Sequence, residues 1–391
     1  MCVLISEFVW SEHTLCLAKA ASPASKTPLT EGYWGYLSTG QNNTNNGEST
    51  MWANNALRRL SFSALGALVV VGLQTAGAQT RESGPWWPGP HGADDEAGAS
   101  NYVTPLKILQ ALQIPETGKV YELGHVYEQG IPLYGERPWY MSITPPPEPT
   151  SDEGGIALSE YFTGYIGQFG TQFDGLGHQA GHVEMEDGSF ETVFYNGFTA
   201  DDLLGENRGR NGLEALGMET MKPFITRGVL IDVAGYKGGT LPAAYEVTMD
   251  DVRGALERQG MSEDDVGQGD AVMFNYGWAV NWGNPSRYND NRIGVGENEG
   301  SPGIYTEVTA WLVDKKIGVV GADSCCVEVR PRPDSIGNVH RQLFLGEGIP
   351  MVENMNLLEL AEDEAYEVLF ITLPERLKGA TGSMIRPIAI R

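Results

Sequence analysis

Helical periodicity is clearest over residues 105–113, where apolar side chains recur every three or four positions. Thr248 is followed by two acidic residues, which is typical of a helix N-terminus and predicts an amphipathic helix over 248–259. Spacing and flanking residues predict three further helices, at 199–205, 212–218 and 305–315.

Apolar runs bounded by turn-forming residues predict the strands. The run 228–233 is apolar apart from Asp232, so we expect it to be central in a sheet. Residues 158–173 are expected to be mostly extended, 131–140 to be extended with prolines, and 144–155 to form a loop or flap. The other predicted strands are 120–126, 271–276, 317–322, 351–354 and 366–372. Strands mixed with a few helices, without an internal repeat, predict a single α/β or α+β domain.

The N-terminal segment has the pattern of a leader peptide. Arg58 and Arg59 precede an apolar run over 60–73, and Ala76-Gly77-Ala78 follows it, which is the pattern of a secretory signal peptide. We therefore predict that 1–50 is a non-native or disordered extension, 51–78 a signal peptide cleaved after Ala78, 79–118 a wrapping segment, and 119–391 the catalytic domain. The alternative is an uncleaved N-terminal anchor. A cleaved leader implies a periplasmic or secreted protein.

Composition limits the classes of partner that the protein is expected to bind. The 391 residues carry a net charge of −25, which argues against nucleic acid and anionic membranes as partners. Fifty glycines and 22 prolines fit a turn-rich fold. Only the adjacent Cys325 and Cys326 would survive leader cleavage, and they could form at most a vicinal disulfide. The protein is therefore expected to be held together by its core.

The segment from Gln168 to His178 carries the main chemical signal. Gln168, Gln172, Asp174 and His178 stand at even intervals, so one extended strand would present them on the same face. A strand running into the glycine-containing turn would aim two amides, a carboxylate and an imidazole at one point. Such donors indicate a metal site or an acid/base centre.

These residues resemble the signature of the metal-dependent cyclase family of amide hydrolases, which includes bacterial kynurenine formamidase and isatin hydrolase. The family motif His-x-Gly-Thr-His-x-Asp-x-x-x-His appears here as Gln168-Phe-Gly-Thr-Gln-Phe-Asp-Gly-Leu-Gly-His178. Other blocks similar to the family occur along the chain in the same order as in the family. They are 121–134, before this motif, and 227–232, 269–274, 321–328, 340–354 and 373–382 after it. The resemblance implies an α/β fold, the swivelling β/β/α single domain of the cyclase/formamidase type, assembled as a homodimer or homotetramer.

The resemblance also implies roles for individual residues. His178 would be the catalytic acid/base, with Asp174 beside it, and the divalent metal would be manganese or zinc. The implied metal ligands are Gln168, Gln172, Asp174, His340 and Glu353.

Both signature histidines are glutamine here, and an amide oxygen is a weaker zinc ligand than imidazole. Three outcomes are open. Asp174, His340, Glu353 and one glutamine oxygen hold a metal; His182 replaces a lost ligand; or the metal is absent and His178 works with Asp174 alone.

The chemistry of amide or lactone hydrolysis fits these groups. A divalent ion acidifies its water and polarises the carbonyl, and His178 could carry the proton to the leaving atom. Thr171 would donate a hydrogen bond to the oxyanion or to a ligand. His125, Asp323 and Glu328 are expected to have structural or orienting roles. Nearby aromatic residues suit a flat substrate, although they are more often core; the candidates for substrate contact are Phe169, Thr171, Phe173, His182, Trp278 and Trp282.

The leading hypothesis is an exported metal-dependent hydrolase that opens an amide, lactone or ester bond of a small cyclic or aromatic substrate, of the arylformamidase or cyclic amidase type. One alternative is a metal-free cyclase or dehydratase that uses His178 and Asp174. Another is an inactive homologue that holds a small ligand. Kynurenine formamide is an unexpected substrate, because its pathway is cytoplasmic.

Overall fold

A mixed nine-stranded sheet runs through the residues that the computed structural model describes, which are 86–132, 137–143, 158–185, 187–289, 300–333 and 338–391. All of them lie in the unit Leu73–Arg391. In spatial order the strands are β1 (Val120–Glu122), β15 (Ile388–Ile390), β13 (Glu367–Thr372), β7 (Phe224–Asp232), β9 (Ala271–Asn275), β11 (Val319–Ala322), β12 (Met351–Glu353), β4 (Gln172–Asp174) and β14 (Gly382–Met384).

The centre of the sheet is parallel and its two edges are antiparallel. β7, β9, β11 and β12 run parallel to one another, whereas β13 and β15 on one side and β4 and β14 on the other join the sheet by antiparallel ladders. Val229, Leu230 and Ile231 on β7 are fully buried, as expected for a strand covered on both faces. The central strand predicted from this apolar run is confirmed, and so is the α/β single domain.

Eight α-helices surround the sheet in the described part of the chain. They are α1 (Pro105–Ala111), α2 (Ala200–Leu204), α3 (Val233–Lys237), α4 (Met249–Arg258), α5 (Pro285–Asn289), α6 (Thr306–Asp314), α7 (Val339–Gln342) and α8 (Leu358–Glu362). Helices α1 and α4 pack on β7. Thr248 caps α4 by accepting a hydrogen bond from the Asp251 backbone, so the capping signal in the sequence was correct.

Three pairs of strands lie outside the main sheet. The antiparallel pairs are β2 (Trp139–Ile143) with β3 (Glu160–Gly164), and β5 (Gly181–Glu184) with β6 (Phe190–Val193). The parallel pair is β8 (Glu246–Val247) with β10 (Gly303–Ile304). Short 3-10 helices cover Gly98–Tyr102, Tyr195–Gly197, Met218–Thr220, Glu263–Asp265 and Trp278–Asn281, and a π-helix covers Leu343–Glu347.

Two predicted elements are wrong. Residues 158–173 are not mostly extended, because bends over 166–171 separate β3 from β4. Residues 212–218 are not a helix: the backbone N–H groups of Leu213 and Met218 donate to the carbonyls of Gly379 and Ala380. Long-range partners therefore replace the local hydrogen bonds that a helix needs. The strand predicted over 120–126 is shorter, ending at Glu122.

The segment before α1 is tied to the body of the protein by Asn196. Its side-chain oxygen accepts from the Gly89 N–H, and its Nδ2 donates to the carbonyls of Gly92, Ala93 and Asp95. The predicted extension 1–50, signal peptide 51–78 and flap 144–155 lie outside the described residues. Among the residues described, no helix has the length and apolar character that a membrane crossing requires.

Asp323 follows β11 and joins it to the segment after β9. Its carboxylate is buried and accepts hydrogen bonds from the backbone N–H groups of Tyr276 and Ala279, at 2.8 and 3.1 Å. This agrees with the orienting role expected for it. Burial raises the pKa of Asp323 to about 7, against the opposing effect of these backbone donors.

We expect the stability of the Asp323→Asn variant to depend less on pH than that of the unmodified chain. Because the pKa of Asp323 is raised on folding, the native state binds the extra proton between about pH 4 and pH 7, and stability falls as pH rises through this window, by roughly 4 kcal/mol. Urea unfolding at a series of pH values measures the difference. The exposed Asp250→Asn variant should keep the slope of the unmodified chain; the same slope in Asp323→Asn would contradict the assignment.

Candidate active site

Strand β4 brings the polar side chains of the candidate site onto one face. Gln172 and Asp174 are two residues apart on this strand and therefore point to the same side. In the antiparallel ladder with β12, Glu353 stands opposite Gln172, so it shares that face. All three side chains are buried.

Gln168 reaches the site by a bend. The prediction of one evenly spaced strand from 168 is wrong, because Gln168 and Gly170 have φ angles of +49° and +59°, in the left-handed region. Glycine is required at 170, where a Cβ would lie 2.6 Å from the Tyr127 ring. The convergence itself occurs: Gln168 Nε2 lies 3.2 Å from Asp174 Oδ1.

The two glutamines act as hydrogen-bond donors in this arrangement. Gln172 Nε2 donates to Glu353 Oε2 at 2.9 Å and to Asp174 Oδ1 at 3.3 Å. An amide NH2 placed between two carboxylates is the orientation that chemistry favours, because the reverse would set oxygen against oxygen. The glutamines therefore hold the carboxylates in position. In this arrangement their amide oxygens are not the ligands for a cation.

A cluster of three possible metal ligands forms around the second oxygen of Asp174. Asp174 Oδ2 lies 3.7 Å from His178 Nε2 and 4.0 Å from His340 Nε2. One ligand atom from each of these residues lies within 4.8 Å of the other two. His340 Nε2 also lies 3.2 Å from Glu353 Oε1. His178 enters the cluster through the turn after β4, where its N–H donates to the Gly175 carbonyl.

The side chains of Asp174, His178, His340 and Glu353 are suitable ligands for a divalent cation. Asp174 Oδ2 is buried and accepts no hydrogen bond from any described residue. A buried carboxylate oxygen without a donor is unfavourable unless something positive binds it. With two imidazoles and a second carboxylate nearby, the donor set is one that zinc or manganese accepts.

Glu328 supports the cluster from behind His340. Its carboxylate is fully buried, with Oε1 3.3 Å from His340 Nδ1, 2.5 Å from Arg330 and 2.8 Å from Arg332. Its Oε2 accepts a hydrogen bond from the Val339 N–H at the start of α7. A carboxylate behind a ligating imidazole fixes its ring orientation, so Glu328 has the orienting role that we expected.

The charges of the cluster change its pKa values. Burial alone would lower the pKa of His340, but contacts with Glu328 and Glu353 outweigh burial and raise it. Burial and the nearby Asp174 charge raise the pKa of Glu353. Without a cation, His340 therefore holds a proton among three carboxylates. A divalent ion would take the place of this proton.

All the predicted catalytic and metal-binding residues line one cavity of about 220 Å³; they are Gln168, Gln172, Asp174, His178, His340 and Glu353. Phe169 also lines it, and its ring stacks on Trp139 and Tyr127 at centroid distances of 5.5 and 5.9 Å. A cavity of about 150 Å³ holds a benzene molecule. The space therefore suits a single-ring ligand.

The other residues predicted to contact substrate lie elsewhere. Thr171 Oγ1 donates to the Asn354 carbonyl and accepts from the His125 N–H, so it ties loops together. Phe173 and Trp278 are fully buried in the hydrophobic core. His182 is exposed on β5, away from the cluster that it was considered to complete. Trp282 stacks on His125 with 4.0 Å between ring centroids.

Several residues of the cavity were missed from the sequence. Arg137, Gln179, Arg330 and Asn354 line it, as do Cys325 and Cys326, whose sulfur atoms are joined in a vicinal disulfide. A signal was present for Arg330, because charges alternate over Glu328-Val-Arg330-Pro-Arg332, which begins six residues after the buried strand β11. Such alternation places charged groups at the end of a strand, where sites form.

Burial lowers the pKa of His178, and the charges of His340 and Arg137 act in the same direction, against the effect of Asp174. The imidazole is therefore neutral near pH 7 and can accept a proton or bind a cation. Its side chain is 22% exposed, whereas those of Asp174 and His340 are 1% and 4% exposed. Within the cluster, His178 is thus the most exposed member.

Comparison with solved structures identified proteins that are similar to this chain. A crystal structure of a novel cyclase has 27% sequence identity and a TM-score of 0.66, with 79% of this chain and all of the other covered. Isatin hydrolase A from Ralstonia solanacearum has 17% identity and a TM-score of 0.49 over 74% of this chain and 98% of its own. No curated protein matched the sequence.

The family model described as "Putative cyclase" matches residues 121–329. This region contains β4 with its signature motif, the parallel strands β7, β9 and β11, and Glu328, whereas His340 and Glu353 lie beyond it. The chain belongs to the cyclase family.

Proposed function

We propose that the protein is a metal-dependent hydrolase that opens a C–N, lactone or ester bond in a small cyclic or aromatic substrate. One observation carries the proposal: the buried Oδ2 of Asp174 lacks a hydrogen-bond donor among the described residues and lies between two imidazoles at the wall of a ring-sized cavity. Membership of the cyclase family supports it.

Asp174 and His340 would hold the ion, with Glu353 beside them. When bound, a divalent ion supplies Lewis acidity to the carbonyl and to the attacking water. Gln168 and Gln172 fix the carboxylates through their NH2 groups, and Glu328 fixes the ring of His340.

His178 would move the proton. Its imidazole is neutral near pH 7 and lines the cavity, and its Nε2 lies 3.7 Å from Asp174 Oδ2, which can stabilise the imidazolium once formed. The proton would pass from the attacking water to His178 Nε2 and then to the leaving nitrogen or oxygen. The rings of Phe169 and its neighbours would keep bulk water from the reacting carbonyl.

The hydrolase proposal is tested by measuring the metal content of purified protein together with turnover of a formanilide, a cyclic amide and an aromatic lactone. Turnover that stops with chelator and returns with manganese or zinc supports the proposal. Turnover that persists in chelated, metal-free protein would instead favour a metal-free reaction by His178 and Asp174. Absence of both metal and turnover would favour a ligand-binding protein.

The role of His178 is tested by the His178→Gln variant. We expect it to retain the metal and to lose at least about 100-fold in kcat, because a positioned acid/base contributes roughly that factor. The matched control is His182→Gln, an exposed histidine outside the cluster, which should retain both metal and activity. Loss of metal in His178→Gln would make His178 a ligand, and unchanged kcat would remove it from the mechanism.

A further inference from the structure

Positive charge in the cavity contrasts with the rest of the protein. The chain carries a net charge of −25, yet two of its arginines, Arg137 and Arg330, line the cavity that contains the candidate cluster. The cavity also contains the carboxylates of Asp174 and Glu353, but the proposed function assigns these two groups to the ion. Guanidinium groups in a small concave site favour the binding of a further anion.

Arg330 is held firmly. Its backbone N–H and carbonyl both bond to Ser301, at 3.0 and 2.9 Å, and one of its side-chain nitrogens lies 2.5 Å from Glu328 Oε1. Its side chain is only 20% exposed, and its buried Nε–H has no hydrogen-bond partner among the described residues. A guanidinium carries five N–H donors in a rigid fork, so Arg330 retains capacity for a planar acceptor.

Glu328 does not cancel this positive charge. The same carboxylate is shared by Arg330, Arg332 and the imidazole of His340. Asp174 and Glu353 also line the cavity, so three carboxylates face Arg330, Arg332 and the protonated His340. Arg137 adds another charge at the cavity, where its Nη1 donates to the Gln168 carbonyl at 2.5 Å.

We propose that the cavity binds substrates that carry a carboxylate, and that Arg330 recognises this group through its guanidinium fork. This inference rests on the proposed function and specifies its substrate class: a single-ring amide or lactone with an acidic group. Arg137 strengthens the preference for anions by its charge. Neutral amides of the same size bind more weakly, because they leave the Nε–H of Arg330 unsatisfied.

The test compares benzoate with benzamide, which have nearly the same shape and differ in charge. Binding is measured by calorimetry on the full chain, first after chelator treatment, so that benzoate cannot bind through a metal, and then with manganese present. We expect benzoate to bind at least about tenfold more tightly than benzamide in metal-free protein, a difference of about 1.4 kcal/mol, because hydrogen bonds to a charged acceptor are stronger than those to a neutral one.

Two variants locate the anion site. Arg330→Gln should abolish the preference for benzoate and leave benzamide affinity within about twofold, whereas Arg330→Lys should keep only part of the preference. Arg332→Gln is the matched control, because Arg332 pairs with the same Glu328 but is not among the residues that line the cavity. Thermal unfolding of each variant establishes that it is folded.

Equal binding of benzoate and benzamide by the unmodified chain would overturn the inference. So would equal effects of Arg330→Gln and Arg332→Gln on benzoate affinity. These results are independent of turnover: benzoate binding that depends on Arg330 stands even when no amide or lactone is hydrolysed. If turnover is found, the ratio of kcat/KM for 2-formamidobenzoate to that for formanilide should fall at least about tenfold in Arg330→Gln.

Discussion

The Asp174→Asn variant should lose its divalent ion and its turnover while it remains folded. The substitution keeps the side-chain shape and leaves one oxygen to accept hydrogen bonds from Gln168 and Gln172. It replaces the donor-free Oδ2 by an NH2 group that faces two imidazoles and cannot bind a cation. Loss of even an outer-shell partner weakens metal binding 10–100-fold, so we expect more than about 100-fold here.

Metal content and chelator competition measure this effect, and urea unfolding of metal-free protein establishes the fold. Without metal, Asp174→Asn should be at least as stable as the unmodified chain, because it removes a charge that raises the pKa of Glu353. The control is Asp264→Asn, a fully exposed carboxylate. A variant that binds manganese and zinc as the unmodified chain does would exclude Asp174 as a ligand.

The Glu328→Gln variant should lose about 3 kcal/mol of unfolding free energy, the lower end of the range for breaking a buried ion pair. The lower end applies because the side chains of Arg330 and Arg332 are 20% and 28% exposed and so partly screened by solvent. A glutamine NH2 would meet N–H donors at either oxygen position: the arginines and His340 at one, Val339 at the other.

Urea unfolding gives this loss directly. Glu367→Gln serves as the matched control, since Glu367 also pairs with an arginine, Arg227 at 3.0 Å, but is 50% exposed. It should lose less than about 1 kcal/mol. Equal losses in the two variants would show that Glu328 is not the buried anchor of the cluster. Metal affinity should also fall in Glu328→Gln, because the ring of His340 loses its orienting partner.

Much of the fold was predictable because its central strands are strongly patterned. The run around Val229 to Ile231 could only be a strand buried on both faces, and the cap at Thr248 marked the start of α4. The family resemblance was confirmed as well. Short strands such as those of the β5–β6 pair were missed, since a few residues of mixed polarity give little periodicity.

The residues of the site were predicted more accurately than the geometry that brings them together. Asp174, His178, His340 and Glu353 do converge, but the even spacing from Gln168 was not the cause, because the chain bends before β4 begins. The glutamines were interpreted as ligands by position, and only the register between β4 and β12 shows that their NH2 groups meet carboxylates. Local sequence cannot supply a register between strands so far apart.

The position of β4 between β12 and β14 makes the candidate site depend on segments that are far apart in the sequence. Gln172 and Glu353 are 181 residues apart, and β14 lies near the C-terminal end of the chain. Closing such long loops is slow and must precede the contacts that reward it. An ion at the proposed site would therefore need β12 in place beside β4, and a chain interrupted before β12 would carry the signature motif without Glu353.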